Sequence, residues 1–287
     1  MPRRVLANVL LVVLITALGL FLVFSRPRPE QAEAPSLAHG IDSEQLGRIR
    51  IERAGLDEVS FERDGSAWRM TAPVAARAHP ARIDSILGLV HETVYARFPA
   101  EPDAVQRFGL VDPRARVYLD RHIFALGDTN PLDERRYVLY GDNVYLIGDS
   151  LYFQLTQNAG FFIDSRLLDA DARPVRIQYP DRLLTQAGGA WTSEPETGLG
   201  ADAVQTAALT WESARAISVR TLQDQPGTGT VVVELQGGAT VRFEILETGP
   251  AVILARRDLG VQYHLDAYTA RQLLLVHEQQ SDPGSDE

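Results

Sequence analysis

The pattern of apolar and polar positions changes period several times along the chain. Val5 to Phe24 is an unbroken apolar run without charge, and Asn8 and Thr16 are its only polar side chains. At 1.5 Å rise per residue such a rod is roughly 30 Å long, the thickness of a bilayer's hydrocarbon layer, so it predicts a membrane-spanning helix. The run exceeds the roughly 7–15 residues of a secretory h-region, and the small-residue site Ala32-Glu33-Ala34 is followed by Pro35, which fits cleavage poorly. An uncleaved anchor is therefore expected. Arg3 and Arg4 lie in the short tail before it, which favours an N-in orientation with the remainder translocated.

Beyond the run, residues 26–44 are rich in Pro, Ala and Glu and read as a linker, with residues 1–25 as cytoplasmic tip and anchor. The body then alternates. Ile49 and Ile51, then Val59 and Phe61, mark two half-buried strands, and Asp64-Gly65 turns the chain into Trp68-Arg69-Met70. Ile83, Ile86, Leu87, Val90 and Val94 recur with helical spacing. Val117 and Leu119 predict a strand, and Tyr137–Tyr140 and Val144–Ile147 flank a hairpin turn at Gly141-Asp142-Asn143. Asp149 is placed as the N-cap of a helix carrying Leu151 and Leu155.

The second half runs through a similar order. Val175, Ile177 and Tyr179 open it, Gly188-Gly189 turns into Trp191, and Val204, Ala207, Ala208 and Trp211 give a helix. Val231–Leu235 and Val241–Ile245 form a hairpin across Gly237-Gly238, followed by strands at Val252–Leu254 and Val261–Leu265. Asp266 caps a last helix carrying Leu273 to Val276. Trp68 and Trp191 lie 123 residues apart, Val90 and Trp211 121, Asp149 and Asp266 117. These slowly drifting offsets predict an α+β fold. A transmembrane helix precedes two tandem, similar units of mostly antiparallel sheet with one or two helices each, at 45–170 and 171–280, and a polar tail at 281–287.

The segment Ala67-Trp68-Arg69-Met70-Thr71-Ala72-Pro73, the helix after it, and Arg107-Phe108-Gly109-Leu110-Val111-Asp112-Pro113 resemble bacterial proteins carrying domain of unknown function 4340. The family pattern has Tyr where this chain has Phe108, and Ala-Asp where it has Ala78-His79. The resemblance covers about Leu46 to Asn158 and is faint afterwards, where Trp191 persists without a second Phe-Gly-Leu element. It implies structural motif positions at Trp68, Pro73, Phe108, Gly109, Leu110, Pro113 and Trp191. It also implies an envelope protein often encoded beside ABC-transporter components of the gliding-motility type.

Composition narrows the chemistry. The chain is acidic, with a formal net charge of -10, which opposes a nucleic-acid partner. Absence of Cys excludes disulfides, thiolate metal sites and Cys nucleophiles. His91-Glu92 begins like a zinc-protease helix, but Tyr95 stands where the second His is needed, and His277-Glu278 fails likewise. Asp128, Asp142 and Asp149 are too dispersed for a calcium loop and read as turn and cap residues. Gly227-Thr228-Gly229 precedes a strand, the wrong context for a pyrophosphate cradle. Tyr137, Tyr140 and Tyr145 read either as an exposed aromatic patch or as cross-strand pairs.

No catalytic, cofactor or metal residues are therefore assigned. The expectation is a non-enzymatic protein anchored N-in in a bacterial inner membrane, its body periplasmic, serving as accessory subunit of an ABC-type complex. The alternatives are a binding module for envelope glycan, lipid or small solute in the cleft between the units and, third, a hydrolase whose site no motif betrays.

Overall fold

The computed structural model describes residues 36–196, 200–249 and 251–275. The expected span Val5 to Phe24, the first part of the linker, Val276 and the tail lie outside the described residues. Among those described, no helix is long and apolar enough to cross a membrane.

The first half contributes β1 (Arg48–Arg53), β2 (Leu56–Asp64), β3 (Ala67–Ala72), β4 (Ala76–Arg77), α1 (Pro80–Leu87), β5 (Ala96–Pro99), α2 (Pro102–Arg107), β6 (Ala115–Leu119), β7 (His122–Thr129), β8 (Arg136–Tyr140), β9 (Asn143–Ile147) and α3 (Ser150–Leu155). The second half contributes β10 (Pro174–Gln178), β11 (Leu183–Ala187), β12 (Ala190–Glu194), α4 (Ala201–Ser213), β13 (Ser218–Thr221), β14 (Gly229–Leu235), β15 (Thr240–Thr248), β16 (Val252–Arg256), β17 (Val261–Leu265) and α5 (Ala267–Leu274). The fold is α+β: two antiparallel sheets with a few helices.

Among the described residues, the sheet orders are β4-β3-β2-β1-β6-β7-β8-β9-β5 and β12-β11-β10-β14-β15-β16-β17-β13. Apart from the two-residue β4, the two orders are the same. In each, the chain starts in the middle, steps outward twice to the Trp-bearing strand, crosses by a helix to the far edge, and fills in the remaining strands by hairpins. Pro73 and Pro195 each follow the Trp-bearing strand, both after cis peptide bonds.

Strand alternation decides which face is inside. Ile49 and Ile51 on β1, Val59 and Phe61 on β2, and Trp68 and Met70 on β3 are buried, while their neighbours in sequence face outward. Helix α1 lays Ile83, Ile86 and Leu87 on this face. Each fully buried aliphatic side chain contributes about 1.5–3 kcal/mol. Pro80 opens the helix at a position where its missing N–H costs nothing.

Helix α1 is shorter than its apolar spacing predicts. At Gly88 the chain tightens into a 3-10 turn, Gly88–His91, and Val94 lies beyond it, outside any helix. The physical reason is competition for carbonyls. The Val90 and Glu92 carbonyls accept hydrogen bonds from Ala38 N and Leu37 N, both 3.0 Å. The end of the expected linker is thus part of the body: Leu37 and Ala38 are buried, and Ser36 pairs with Thr93.

Asp149 is also reassigned. It precedes α3 but makes no side-chain cap. Its carboxylate is held instead by Arg136, a buried residue that also reaches the Gly127 carbonyl, Thr129 and the Tyr152 ring. Asp266 caps as expected, its carboxylate accepting from Tyr268 N and Thr269 N at 3.0 Å.

Candidate functional site

Residues 159–172 join the two sheets and are zipped to both. Asn158 caps the 3-10 turn Ala159–Phe162 by accepting from Phe161 N. Toward the first sheet, His79 N donates to Phe162 O at 2.7 Å, Ala78 pairs with Ile163, and Asp164 N donates to Arg77 O at 2.9 Å. Toward the second, Ala216 N donates to Ser165 O at 2.8 Å, Leu167 N to Ala214 O at 3.1 Å, and Arg166 pairs with Arg215. Gly160 is required here. A Cβ would overlap the Val219 carbonyl and stand 2.8 Å from Arg220 Cα, both backbone of edge strand β13.

Asp164 sits at the centre of this junction, 3% exposed. Its carboxylate accepts from Arg166 N at 3.0 Å and from Arg166 Nε and Nη2 at 3.0 and 2.7 Å. Arg77 Nε is 3.0 Å away in an ion pair without hydrogen-bond alignment, and Arg215 is 3.9 Å away. Burial alone would raise the Asp164 pKa. The Arg166 side chain and backbone hydrogen bonds, with the charges of Arg77 and Arg166, outweigh burial and hold it below the ordinary carboxylate value. Arg77 also bonds Asp169 and the Leu168 carbonyl.

Two cavities flank this cluster and share Arg77 and Arg166. One, of about 180 Å³, lies between the sheets and is lined by Arg69, Arg256 and Tyr263 as well as Asp164. The other is a groove of about 470 Å³ beside Trp68 and His91 on the first sheet. There Arg63 lies over the Trp68 ring, 4.8 Å from its centroid, and donates to the Leu46 carbonyl. His91 is exposed, 3.4 Å from Ser43 Oγ, and burial raises the pKa of neighbouring Glu92. No group of three His, Asp or Glu side chains suited to a metal occurs among the described residues.

Trp68 and Trp191 are 8% and 7% exposed, and α4 packs against β12, the strand that carries Trp191. Phe108 stacks on Tyr137 at 3.9 Å, and Leu110 is buried with Ala104, Val144 and Leu146 on the back of the first sheet. Gly109 takes φ +67°, and a Cβ at Gly127 would overlap the Phe108 carbonyl, which accepts from Asp128 N at 2.8 Å. Asp128 itself pairs with Arg114. Pro113 is buried and Pro73 exposed. The three tyrosines form no single patch: Tyr140 stacks on Phe124 at 4.5 Å on the opposite face from Tyr137, and Tyr145 lies near Arg97. Replacing Phe108 by Leu should lower stability by about 0.5–1.5 kcal/mol, the contribution of an aromatic stack, read as a shift of the urea midpoint.

Sequence reasoning missed Asp164 and its arginines. They belong to no motif, and only the pairing of residues 159–172 with both sheets brings them together.

A family described as a domain of unknown function, DUF4340, matches residues 68–225. The chain belongs to this family. The DUF4340 match begins at Trp68 and runs through the Phe-Gly-Leu element, the Asp164 junction, α4 and β13, further into the second half than the motifs alone suggested. No curated protein and no solved structure matches the chain.

Proposed function

We propose that this DUF4340 protein is a non-enzymatic docking subunit, held in a bacterial inner membrane by Val5 to Phe24 with its body in the periplasm. The family resemblance makes an ABC-type membrane complex the expected partner. One observation carries the reading: the apolar run is followed after only eleven residues, 25–35, by Ser36 and Leu37, which are already fixed to the body. At about 3.3–3.6 Å per extended residue, so short a tether keeps the body within roughly 40 Å of the bilayer. Confinement of that kind raises the effective concentration toward an integral partner without any added contact.

Isolation of the tagged full chain in mild detergent should recover a partner that is lost when residues 45–275 are deleted. Deleting residues 26–31 alone should leave it bound. A reporter fused at the C-terminus that becomes active only in the cytosol would overturn the orientation, and with it the proposal.

The matching sheet orders and the Trp and Pro positions support descent of both halves from one duplicated unit. So does the way each half is entered, by Ser36 pairing with Thr93 and by Arg166 pairing with Arg215. A second functional reading, a binding module with its ligand between the halves, is favoured by the cleft beside Asp164, because ligand sites prefer such interfaces.

A further inference from the structure

We propose that the cleft between the two sheets is an oxyanion site that takes a phosphoryl group, with Arg69 as its uncommitted cation. The proposal rests on the cleft-binding reading and names the chemistry of the ligand.

Arg69 and Arg77 stand directly opposite each other across β3 and β4. Like charges so placed repel unless each is met by an anion. Arg77 is met by Asp164 and Asp169. The Arg69 side chain, although Glu62 stands opposite it on β2, makes no hydrogen bond or ion pair to the protein among the described residues, and it lines the cavity.

The facing wall comes from the second sheet. Arg256 spends Nε and Nη2 on the two oxygens of Asp258, at 2.9 and 2.7 Å, leaving Nη1 uncommitted. Tyr263 is 3% exposed, and its hydroxyl has no protein partner among the described residues. Burial raises its pKa, so it stays an O–H donor through the neutral range. With Asp258 counted as the partner of Arg256, the cleft carries Arg69, Arg77, Arg166 and Arg256 against Asp164, Asp169 and Asp258, an excess of one cation in a chain of net charge -10. Donors surplus to the protein's own needs converge from both sheets on one space. Guanidinium forks suit the planar edges of phosphate, and the charge-assisted bonds they make are strong.

Size narrows the ligand. At about 30 Å³ per water, a cavity of 180 Å³ holds roughly six waters. That accommodates one phosphoryl group with its hydration, any larger group it belongs to extending out of the cleft. The source is either free phosphate or the headgroup of an anionic phospholipid.

The test uses the full chain in nanodiscs of phosphatidylcholine, with thermal unfolding followed as sodium phosphate is added against sodium chloride of equal ionic strength. A parallel arm replaces part of the lipid by phosphatidylglycerol. Phosphate, the anionic lipid, or both should raise the unfolding temperature of the wild-type protein. Arg69→Gln should weaken that response at least tenfold without lowering the ligand-free unfolding temperature, since no protein group loses a partner and the repulsion with Arg77 is relieved. Arg121→Gln, in the exposed turn before β7, alters the net charge equally and should respond as the wild type does. A response to phosphate alone assigns a free oxyanion, and a response to phosphatidylglycerol alone assigns a headgroup. No response in either arm, or an equal response in Arg69→Gln, overturns the oxyanion site. Stabilisation by a neutral glycan with none by phosphate would likewise overturn it, but would leave the cleft-binding reading standing.

Discussion

Replacing Asp164 by Ala is expected to destabilise the body by about 3–5 kcal/mol, the loss typical of a buried ion pair deprived of one partner. The carboxylate is 3% exposed and is the anion shared by Arg166, Arg77 and, more distantly, Arg215. Removing it leaves guanidinium groups of both halves facing each other across the junction. The measurement is urea unfolding by tryptophan fluorescence, which has probes in both halves at Trp68, Trp191 and Trp211. Loss of the junction should also split the transition, so that fluorescence and circular dichroism no longer coincide. A single transition within about 1 kcal/mol of the wild type would show that the ion pairs are incidental to holding the halves together.

The same residue gives a pH dependence with a definite sign. The folded pKa of Asp164 is depressed, so its stabilisation is present above the ordinary carboxylate value and is lost as pH falls through the folded value. The wild-type urea midpoint should therefore decline below about pH 4, the ordinary carboxylate range. Asp164→Asn should start lower at neutral pH and show less of that acid decline, because the titrating group is gone. Parallel acid profiles for the two proteins would assign the decline to other carboxylates, such as Asp181, Asp258 and Asp266, which are also held low by their hydrogen bonds.

What was legible in the sequence follows from where each strand sits. Strands with one face in the core and one in water, such as β1 to β3, alternate cleanly and were readable from Ile49, Ile51, Val59 and Phe61. Strand β7 was not, because Phe124, Ala125 and Leu126 are buried in succession: the segment Phe108–Leu110 lies against the strand at Gly127, so period two disappears. Edge strands β5 and β13 are four residues long and carry too few buried positions to show any period. Val94 matched the phase of α1 by coincidence, since the turn after Gly88 had ended the helix. The candidate cleft was invisible for a different reason. Arg69, Asp164 and Tyr263 are separated by most of the body, and each looks like an ordinary strand or loop residue until the junction is formed.

Tyr179→Phe is expected to cost about 2–6 kcal/mol, although it removes one oxygen and leaves the packing shape unchanged. The residue follows β10 and is 3% exposed, and its hydroxyl is a two-way bridge. It accepts from Trp211 Nε1 at 2.8 Å on α4 and donates to the Leu273 carbonyl at 2.6 Å in the last turn of α5. That carbonyl belongs to the set a helix cannot satisfy internally, so the phenol supplies the partner the helix lacks. Without the oxygen, a buried N–H and a buried C=O are both stranded, at about 1–3 kcal/mol each. Burial pushes the phenol's pKa well above its ordinary value, tempered by the Trp211 hydrogen bond. Its contribution is therefore complete at neutral pH and declines only as pH rises past the ordinary phenol range. Adding Trp211→Phe to Tyr179→Phe removes the stranded donor along with its partner. The double variant should thus lose less than the sum of the single losses, with the difference measured as a coupling free energy in urea. Strict additivity would mean that Trp211 and Tyr179 stabilise the second sheet by separate packing and that the relay between α4 and α5 contributes nothing.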